Sequence, residues 1–415
     1  MIKVILAGAG DRGQIYANYI KNNPDKAVIV GVAEPRDFQR NLIKNMFNLN
    51  EEQCFYSWEG LADKEKHADA VIIATQDKMH TEPAIKFAEK KYHILLEKPM
   101  APSEEECRRI VQACKDNKVI LSVCHVLRYT PFTKKLKEVL NTGIIGKIVS
   151  MQRLEPVGYW HQAHSFVRGN WRNEEESSFM LLAKSCHDLD WINYIMPSKC
   201  SKVASFGSLY HFKKSEKPAG AADKCTMCPE NIEKDCPYSA KKIYLGFFDK
   251  GVKGWPLSIL TDDISYDGVY KALEEGPYGR CVYECDNDVV DNQVVAMSFD
   301  DGSTVNFTMT AFNEYTARRT TIFGTHGEIR GDGRYIKIIN FRDNSVKKID
   351  SQEGIDKLSG HGGGDSGIME NFIEAVSSGD SSKILTGADE TLMSHLMVFR
   401  SEKSRKNGTV EEVRI

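Results

Sequence analysis

Ile2-Lys3-Val4-Ile5-Leu6-Ala7-Gly8-Ala9-Gly10-Asp11-Arg12-Gly13 decides the fold. Its first six residues form an apolar strand pattern, and Gly8-x-Gly10-x-x-Gly13 follows directly, opening a helical pattern that reaches about Asn22. Glycines at this spacing allow a tight turn and a close approach of backbone to a pyrophosphate, which the helix N-terminus favours electrostatically. Gly8, Gly10, Asp11, Arg12 and Gly13 are therefore expected to hold a dinucleotide. The next strand pattern, Ala27–Ala33, ends on Glu34, which is placed to accept hydrogen bonds from a ribose diol and so favours NAD. Arg36 is placed to pair with a 2′-phosphate, which keeps NADP open.

Working outward, strand and helix alternate over the first 120 residues or so. Short strands are expected near Gln53–Tyr56, over Ala70–Thr75, Tyr92–Leu96 and Val119–Val126. Helical patterns over Glu82–Lys90 and Ser103–Asn117 lie between them, the second opening on a Ser103-x-x-Glu106 capping box. This order predicts an α/β fold with a doubly wound parallel sheet. Lys98 follows the run Tyr92–Leu96 in Glu97-Lys98-Pro99, where Pro99 stops the ladder. Chemistry in open α/β sheets gathers at the carboxyl ends of strands. A lysine at such a half-buried end has its ammonium partly desolvated, which makes it available for proton transfer.

Composition narrows the function. In 415 residues, 55 Lys and Arg stand against 58 Asp and Glu, a net charge of -3, so no nucleic-acid or anionic-membrane footprint is expected. No apolar stretch approaches the roughly 18 residues of a membrane span. Met1 runs straight into the first strand, leaving no room for a secretory signal. Eleven scattered cysteines then point to reduced thiols in a cytoplasmic protein. The length fits two domains: 1–127 for the nucleotide, and 128–415 for substrate and oligomerisation, with a cysteine-containing insertion over 213–240 and C-terminal helices that pack back on the first domain.

With the strand, the glycine loop, Ala70-Val-Ile-Ile-Ala-Thr75 and Glu97-Lys98-Pro99 in this order, the chain resembles the Gfo/Idh/MocA oxidoreductase family. Thr75-Gln76-Asp77-x-x-His80 is similar to the family's loop beside the nicotinamide ribose, and His125-x-x-Arg128-Tyr129-x-Pro131 to the segment that leaves the nucleotide domain. Gly143-Ile-Ile-Gly146-Lys147-Ile148 matches the turn into the second domain. The resemblance implies a C-terminal α+β domain with a large mixed, mainly antiparallel open sheet. It also implies an NAD(P) cofactor, sugar or cyclitol substrates, and dimers or tetramers through that sheet. Thr75, Gln76, His80, Glu97, Lys98 and His125 are the further cofactor candidates it adds.

Met180-Leu-Leu-Ala-Lys184-Ser-Cys-His187-Asp188-Leu-Asp190 reads as a helix in which Lys184, His187 and Asp190 share a face. A histidine near neutral pH can take a hydroxyl proton while the carbinol carbon gives up hydride. His187 falls on the family's catalytic histidine. The family commonly has Asp four residues earlier, where this chain has Ala183, and Lys184 lies next to it. Lys98, His187 and Lys184 are thus the catalytic candidates, in a cationic pocket that suits an acidic or keto sugar, or proton abstraction, more than a plain polyol. Arg128, Tyr129, His161, His164, Arg168 and Asp188 are the substrate candidates; the segment Tyr159–Trp171 is dense in aromatic and polar groups of the kind that stack on sugar rings.

Cys225-x-x-Cys228 with Cys236 has spacing suited to a structural zinc site, with Cys285 as fourth ligand and Cys281 or His211 as alternatives to it. Free thiols and an iron–sulfur cluster are the other readings. Asp300-Asp301-Gly302 predicts a hairpin between Val294–Phe299 and Thr304–Thr310, and Gly360-His361-Gly-Gly-Gly364-Asp365 leads into a C-terminal helix, with Gly362–Gly364 a possible hinge. The leading expectation is an NAD(P)-dependent oxidoreductase acting on a hydroxyl-bearing carbon of a sugar, sugar derivative or cyclitol. A glycosidase working by transient oxidation and elimination is the second reading, and a nicotinamide-binding regulator without chemistry the third.

Overall fold

A computed structural model describes residues 1–414. The first sheet joins β1 (Ile2–Ala7), β2 (Ala27–Ala33), β3 (Cys54–Phe55), β4 (Ala70–Ile73), β5 (His93–Leu96) and β6 (Leu121–Val123) in the order β3-β2-β1-β4-β5-β6, and every pair is parallel. Strands β1 and β4 are apolar on both faces because helices cover both sides of the sheet. The helix Asp11–Asn22 buries Gly13, Tyr16, Ala17 and Ile20, a stripe at helical spacing. Strand order reverses between β1 and β4, and the crevice beyond their carboxyl ends is where open α/β sheets bind ligands. Gly8, Glu34, Ala74-Thr75 and Glu97-Lys98 all follow strands at that edge.

Helix boundaries follow local chemistry. The helix Glu104–Asn117 has Ser103 as its N-cap, whose hydroxyl accepts from the Glu106 N–H at 3.3 Å. Glu106 closes on that hydroxyl at 2.7 Å rather than on backbone, so the expected reciprocal box is only half formed.

The second sheet has nine strands: β7 (Ile148–Pro156), β8 (Cys200–Ser208), β9 (Asn292–Phe299), β10 (Thr304–Thr310), β11 (Arg319–Gly324), β12 (Gly327–Gly331), β13 (Tyr335–Asn340), β14 (Val346–Asp350) and β15 (Glu411–Glu412). Their order is β14-β13-β12-β11-β7-β10-β9-β8-β15, antiparallel throughout except for β7 and β10. Along β9, Gln293, Val295, Met297 and Phe299 are buried while Val294 and Ala296 face out, the alternation of a sheet covered on one side. No helix among the described residues is long and apolar enough to cross a membrane.

One core runs through both sheets, joining Ile73 and Leu96 to Leu182, Trp191 and Phe307. A second contains Leu6, Tyr16 and Ile72 together with Ile368, Met369 and Phe372 of the helix Gly364–Ser378, so that helix packs on the nucleotide-binding sheet. A third core lies between β8 and β9, where residues 209–291 form no strand and bury Phe212, Tyr238, Tyr244, Leu257, Leu273 and Tyr278 against Ala163 and Val167. This insertion is longer than the cysteine-rich stretch of 213–240, and its later part includes the helix Tyr266–Glu275, capped by Ser265 and burying Val269 and Leu273.

Arg128 and Tyr129, read from the sequence as substrate residues, hold the fold instead. Arg128 is buried and makes two 2.7 Å bonds to the Asp190 carboxylate and one of 2.6 Å to the Leu385 carbonyl. The Tyr129 hydroxyl lies 3.1 Å from Thr386 Oγ1 and accepts from the Leu385 N–H. Removing one partner of a buried ion pair leaves an uncompensated charge and costs about 3–5 kcal/mol. Arg128→Met is therefore expected to lower unfolding free energy by that amount in urea, and Arg128→Met with Asp190→Leu to recover most of it; a single variant as stable as wild type would contradict this role.

Candidate active site

The glycine loop is shaped by close backbone contacts. Gly8 has φ +92°, and a Cβ there would sit 2.5 Å from the Ala74 carbonyl oxygen; one at Gly13 would sit 2.1 Å from the Gly8 oxygen. These contacts require glycine at both positions, and above Gly10 a Cβ would meet the Arg36 guanidinium at 3.3 Å. Asp11 is exposed in the first helical turn. Glu34 is buried, its Oε2 accepting from the Ala9 N–H at 2.8 Å and its Oε1 from Arg36 Nε at 2.7 Å. Burial pushes the Glu34 carboxyl up, but Arg36 and the Ala9 N–H outweigh it and hold the group below the ordinary range. These residues fit a dinucleotide, with Arg36 beside the carboxylate that would meet the ribose.

Arg12 does not point at the phosphates. Its Nε donates to Glu97 Oε1 at 2.6 Å, and its Nη2 to Asp365 Oδ1 at 2.8 Å. Glu97 is also held by the Tyr16 hydroxyl and by the Lys98 N–H at 2.9 Å, so its oxygens face protein rather than cofactor. Burial alone would raise the Glu97 carboxyl; Arg12 and Lys98 hold it below the usual carboxylate range. Asp365, which had no signal in the sequence beyond its place after three glycines, also lies 3.1 Å from His361 Nδ1. The glycine loop, the end of β5 and the start of a C-terminal helix thus share one ionic cluster.

Lys98 lies near enough to His187 for its charge to act on the imidazole. Lys98 is half-buried and its Nζ donates to the Ala183 carbonyl at 2.9 Å. That leaves two N–H bonds of the ammonium free for a ligand. His187 is 6 % exposed, its Nδ1 has no protein partner, and its ring lies edge-on to His125 at 5.7 Å and near His361 at 5.9 Å. Burial, then the positive charge of Lys98, depresses its basicity well below that of a free imidazole. His125 is fully buried between His187 and His395, with both ring nitrogens unpartnered, and burial lowers it to about 4. His80 ties the neighbouring loop down: its ring nitrogens lie 2.8 Å from the Pro99 carbonyl and 3.1 Å from that of Thr75. Thr75 Oγ1 bonds the Met79 carbonyl, and Gln76 is exposed at the crevice.

The expected continuous helix is broken. Met180–Ala183 and Cys186–Ile195 are separate helices, with Lys184 and Ser185 at the joint. Lys184 Nζ lies 3.3 Å from Glu155 on β7. Burial lowers the basicity of Lys184, and Glu155 opposes that effect. Arg318 Nε lies 2.7 Å from both Glu155 Oε2 and Asp188 Oδ1, while Arg153 Nε donates to the same Asp188 oxygen at 2.8 Å. Asp188 is therefore saturated by two arginines rather than open to substrate, and burial is outweighed by them in keeping it ionised. Glu155 and Arg318 escaped the sequence reading because a lone charge on a strand or in a loop carries no pattern.

The aromatic segment folds as a short helix, Tyr159–His161, continued by a buried π-helix, Gln162–Arg168. Such helices recur at functional sites. His161 faces Trp255 at 5.1 Å and Tyr315 at 5.4 Å, and its Nδ1 has no partner. Lys184 and Lys98 are among the charges acting on it. His164 also packs on Trp255, at 5.4 Å, but is bonded to the Tyr244 hydroxyl at 2.9 Å and stacked on Tyr278 at 4.9 Å. Arg168 likewise turns into the insertion, donating to the carbonyls of Arg280 and Tyr238 at 2.7 Å. Of this group, His161 is the residue on which the charges of Lys98 and Lys184 act, and Trp255 and Tyr315, distant in sequence, pack on its ring.

Among the described residues, no group of three or more His, Cys, Asp or Glu side chains is closed around a point where a metal ion would sit. The cysteine set also differs from expectation: Cys225, Cys228 and Cys236 share a small cavity with Cys281, whereas Cys285 bonds the Cys281 carbonyl at 3.3 Å and does not line it. His211 bonds the Tyr283 hydroxyl.

Buried imidazoles give the protein a measurable acid sensitivity. Burial lowers His125 to about 4, and His164 and His395 to about 3, whereas unfolded imidazoles take up protons near 6.5. The unfolded chain then binds more protons below about pH 6.5, so stability falls as pH drops through that value. The urea midpoint is expected to decline between about pH 6.5 and 5, above the range where carboxylates titrate; a constant midpoint across that window would contradict the burial of these rings.

Residues 2–125 match the model of the oxidoreductase family with an NAD-binding Rossmann fold, GFO_IDH_MocA, and residues 137–413 match that family's C-terminal alpha/beta domain. The chain is 29% identical over 207 residues to a 2,7-anhydro-N-acetylneuraminate hydratase of Escherichia coli, and 25% identical over 210 residues to a myo-inositol 2-dehydrogenase of Thermotoga maritima. Each match covers 50% of this chain, and 53% and 59% of those relatives respectively, so the chain spans little more than half the length of these two relatives. The solved structure of a levoglucosan dehydrogenase with NADH and levoglucosan shares the fold, with TM-score 0.71 and 18% identity over 100% of this chain and 99% of that one. Sequence and architecture agree over both domains: the chain belongs to the Gfo/Idh/MocA oxidoreductase family.

Proposed function

We propose that the protein is an NAD-dependent oxidoreductase that acts on a hydroxyl-bearing carbon of a sugar, sugar derivative or cyclitol, with Lys98 and His187 handling the proton. The observation that supports this is that Lys98 follows β5 at the carboxyl edge of the parallel sheet and its charge acts on the buried His187 imidazole. A nicotinamide bound there supplies the acceptor for hydride from the carbinol carbon. Lys98 Nζ, anchored on the Ala183 carbonyl, orients the substrate hydroxyl through its remaining N–H bonds. His187, neutral because it is buried, takes the hydroxyl proton or returns it in the reverse direction. His125 and His361 pack the His187 ring from two sides and limit its rotation.

Charge favours an acidic sugar. Lys98, Lys184, Arg153 and Arg318 stand against Glu155 and Asp188, which leaves two cations uncompensated around the pocket. A carboxylate on the substrate would balance one of them. Glu34 beside the loop supports NAD over NADP, although Arg36 is near enough to accept a 2′-phosphate. Eleven unpaired cysteines fit a reducing cytoplasm. The outward face of the nine-stranded sheet, with Phe206 and Val294 exposed, supports a homodimer through that sheet.

A second reading is redox-assisted cleavage or hydration, in which a ring hydroxyl is oxidised, a group leaves by elimination, and the hydride returns. Lys184 beside Lys98 favours it, since a second cation would stabilise the enolate formed on C–H abstraction. A related chain is named a hydratase, a reaction without net redox change.

Lys98→Ala is expected to bind NAD like wild type by calorimetry yet lose a factor of about 100 to 10,000 in turnover. A panel of sugars, sugar acids, cyclitols and glycosides would be followed by NADH absorbance and product mass; a fully active variant would sink the assignment. Net NADH selects the dehydrogenase, and product without NADH selects the second reading. For the assembly, light scattering is expected to give twice the chain mass for wild type and one chain mass for Phe206→Asp; a wild-type monomer would contradict the dimer.

A further inference from the structure

Cys225, Cys228, Cys236 and Cys281 come from two separated parts of the strand-free insertion and line one cavity of about 20 Å³. Pro218, Ala221 and Ile232 close its other walls. Such a space takes one atom-sized guest. It is too small for an iron–sulfur cube.

Arg168 supplies a second, independent observation. It is 1 % exposed, and Nη2 lies 3.5 Å from Cys225 Sγ while Nη1 has no partner. Its other bonds go to the neutral backbone carbonyls of Arg280 and Tyr238. Guanidinium keeps its proton in proteins, so this is a buried cation that needs an anion. With every thiol neutral, nothing beside it supplies one.

We propose that Cys225, Cys228, Cys236 and Cys281 form a tetrathiolate zinc site whose negative charge is offset in part by the buried Arg168. Uptake exchanges four thiol protons for one Zn²⁺ with no redox change, leaving a complex of net charge minus two. No three of these side chains close around a metal position here, so uptake requires the sulfurs to shift to bonds of about 2.3 Å. Four thiolates leave no open coordination position, which makes the site structural. It ties the insertion, through Arg168, to the π-helix next to His161 on the pocket wall.

The test is metal analysis of the full chain purified without chelator, followed by chelation and reloading with Co²⁺. About one zinc per chain is expected, together with the thiolate-to-cobalt charge-transfer absorption of a tetrahedral site. Zinc should shield Cys225, Cys228, Cys236 and Cys281 from alkylation, mapped by mass spectrometry, while leaving Cys285 no less reactive. Cys281→Ser should lose zinc at least tenfold more readily than Cys285→Ser. Wild-type protein that neither retains zinc nor takes up Co²⁺ would overturn the proposal. So would iron with acid-labile sulfide, or zinc that shields Cys285 instead of Cys281. The shielding experiment uses wild-type protein, so it decides even where Cys281→Ser fails to fold.

Discussion

The guanidinium of Arg12 joins three parts of the chain that the sequence keeps far apart. It rises from the helix opened by the glycine loop, and it binds Glu97 just after β5 and Asp365 at the start of a C-terminal helix. Glu97 in turn fixes the backbone N–H of Lys98, and Asp365 fixes His361, which packs on His187. Both proposed proton-handling residues therefore hang from one buried ionic cluster. Breaking such a cluster strands charges in low dielectric, so it is all-or-none in character. The position of the chemistry relative to the glycine loop depends on it.

A second network works on the opposite wall of the pocket. Where relatives of this fold commonly place a carboxylate four residues before the catalytic histidine, this chain has Ala183, and the break after it aims Lys184 at Glu155. Arg318 and Arg153 converge on Glu155 and Asp188. The pocket is cationic, but less so than its lysines alone imply, because two buried carboxylates offset part of the charge. What remains selects among substrates more than it alters the hydride chemistry.

The nucleotide-binding half was nearly all legible in the sequence. Apolar runs ended by Gly8, Glu34, Thr75 and Glu97 are short-range patterns that local backbone chemistry enforces, and the parallel sheet forms where those patterns lie. Lys98 and His187 were legible through motif and family resemblance. Side-chain direction was not. Arg128, Asp188, His164 and Arg168 have the chemistry of substrate ligands, yet each is consumed by a distant partner: Asp190, two arginines, Tyr244 and two carbonyls. Glu155, Arg318, Asp365 and Trp255 reach the site by tertiary packing alone, for which no local period exists. The cysteine set shows the same limit on a small scale: the spacing identified three thiols, and only the fold distinguished Cys281 from Cys285.

The central claim is that hydride passes between a carbinol carbon and nicotinamide in the crevice held by Arg12. The most direct measurement is a single turnover with enzyme and NAD in excess over sugars, sugar acids and cyclitols deuterated at ring carbinol carbons, quenched early and read by mass spectrometry. Deuterium on the nicotinamide ring of the quenched cofactor is the result this account requires, whether the hydride stays there or is later returned. Product formed with all deuterium still on its original carbon and none on nicotinamide would contradict it.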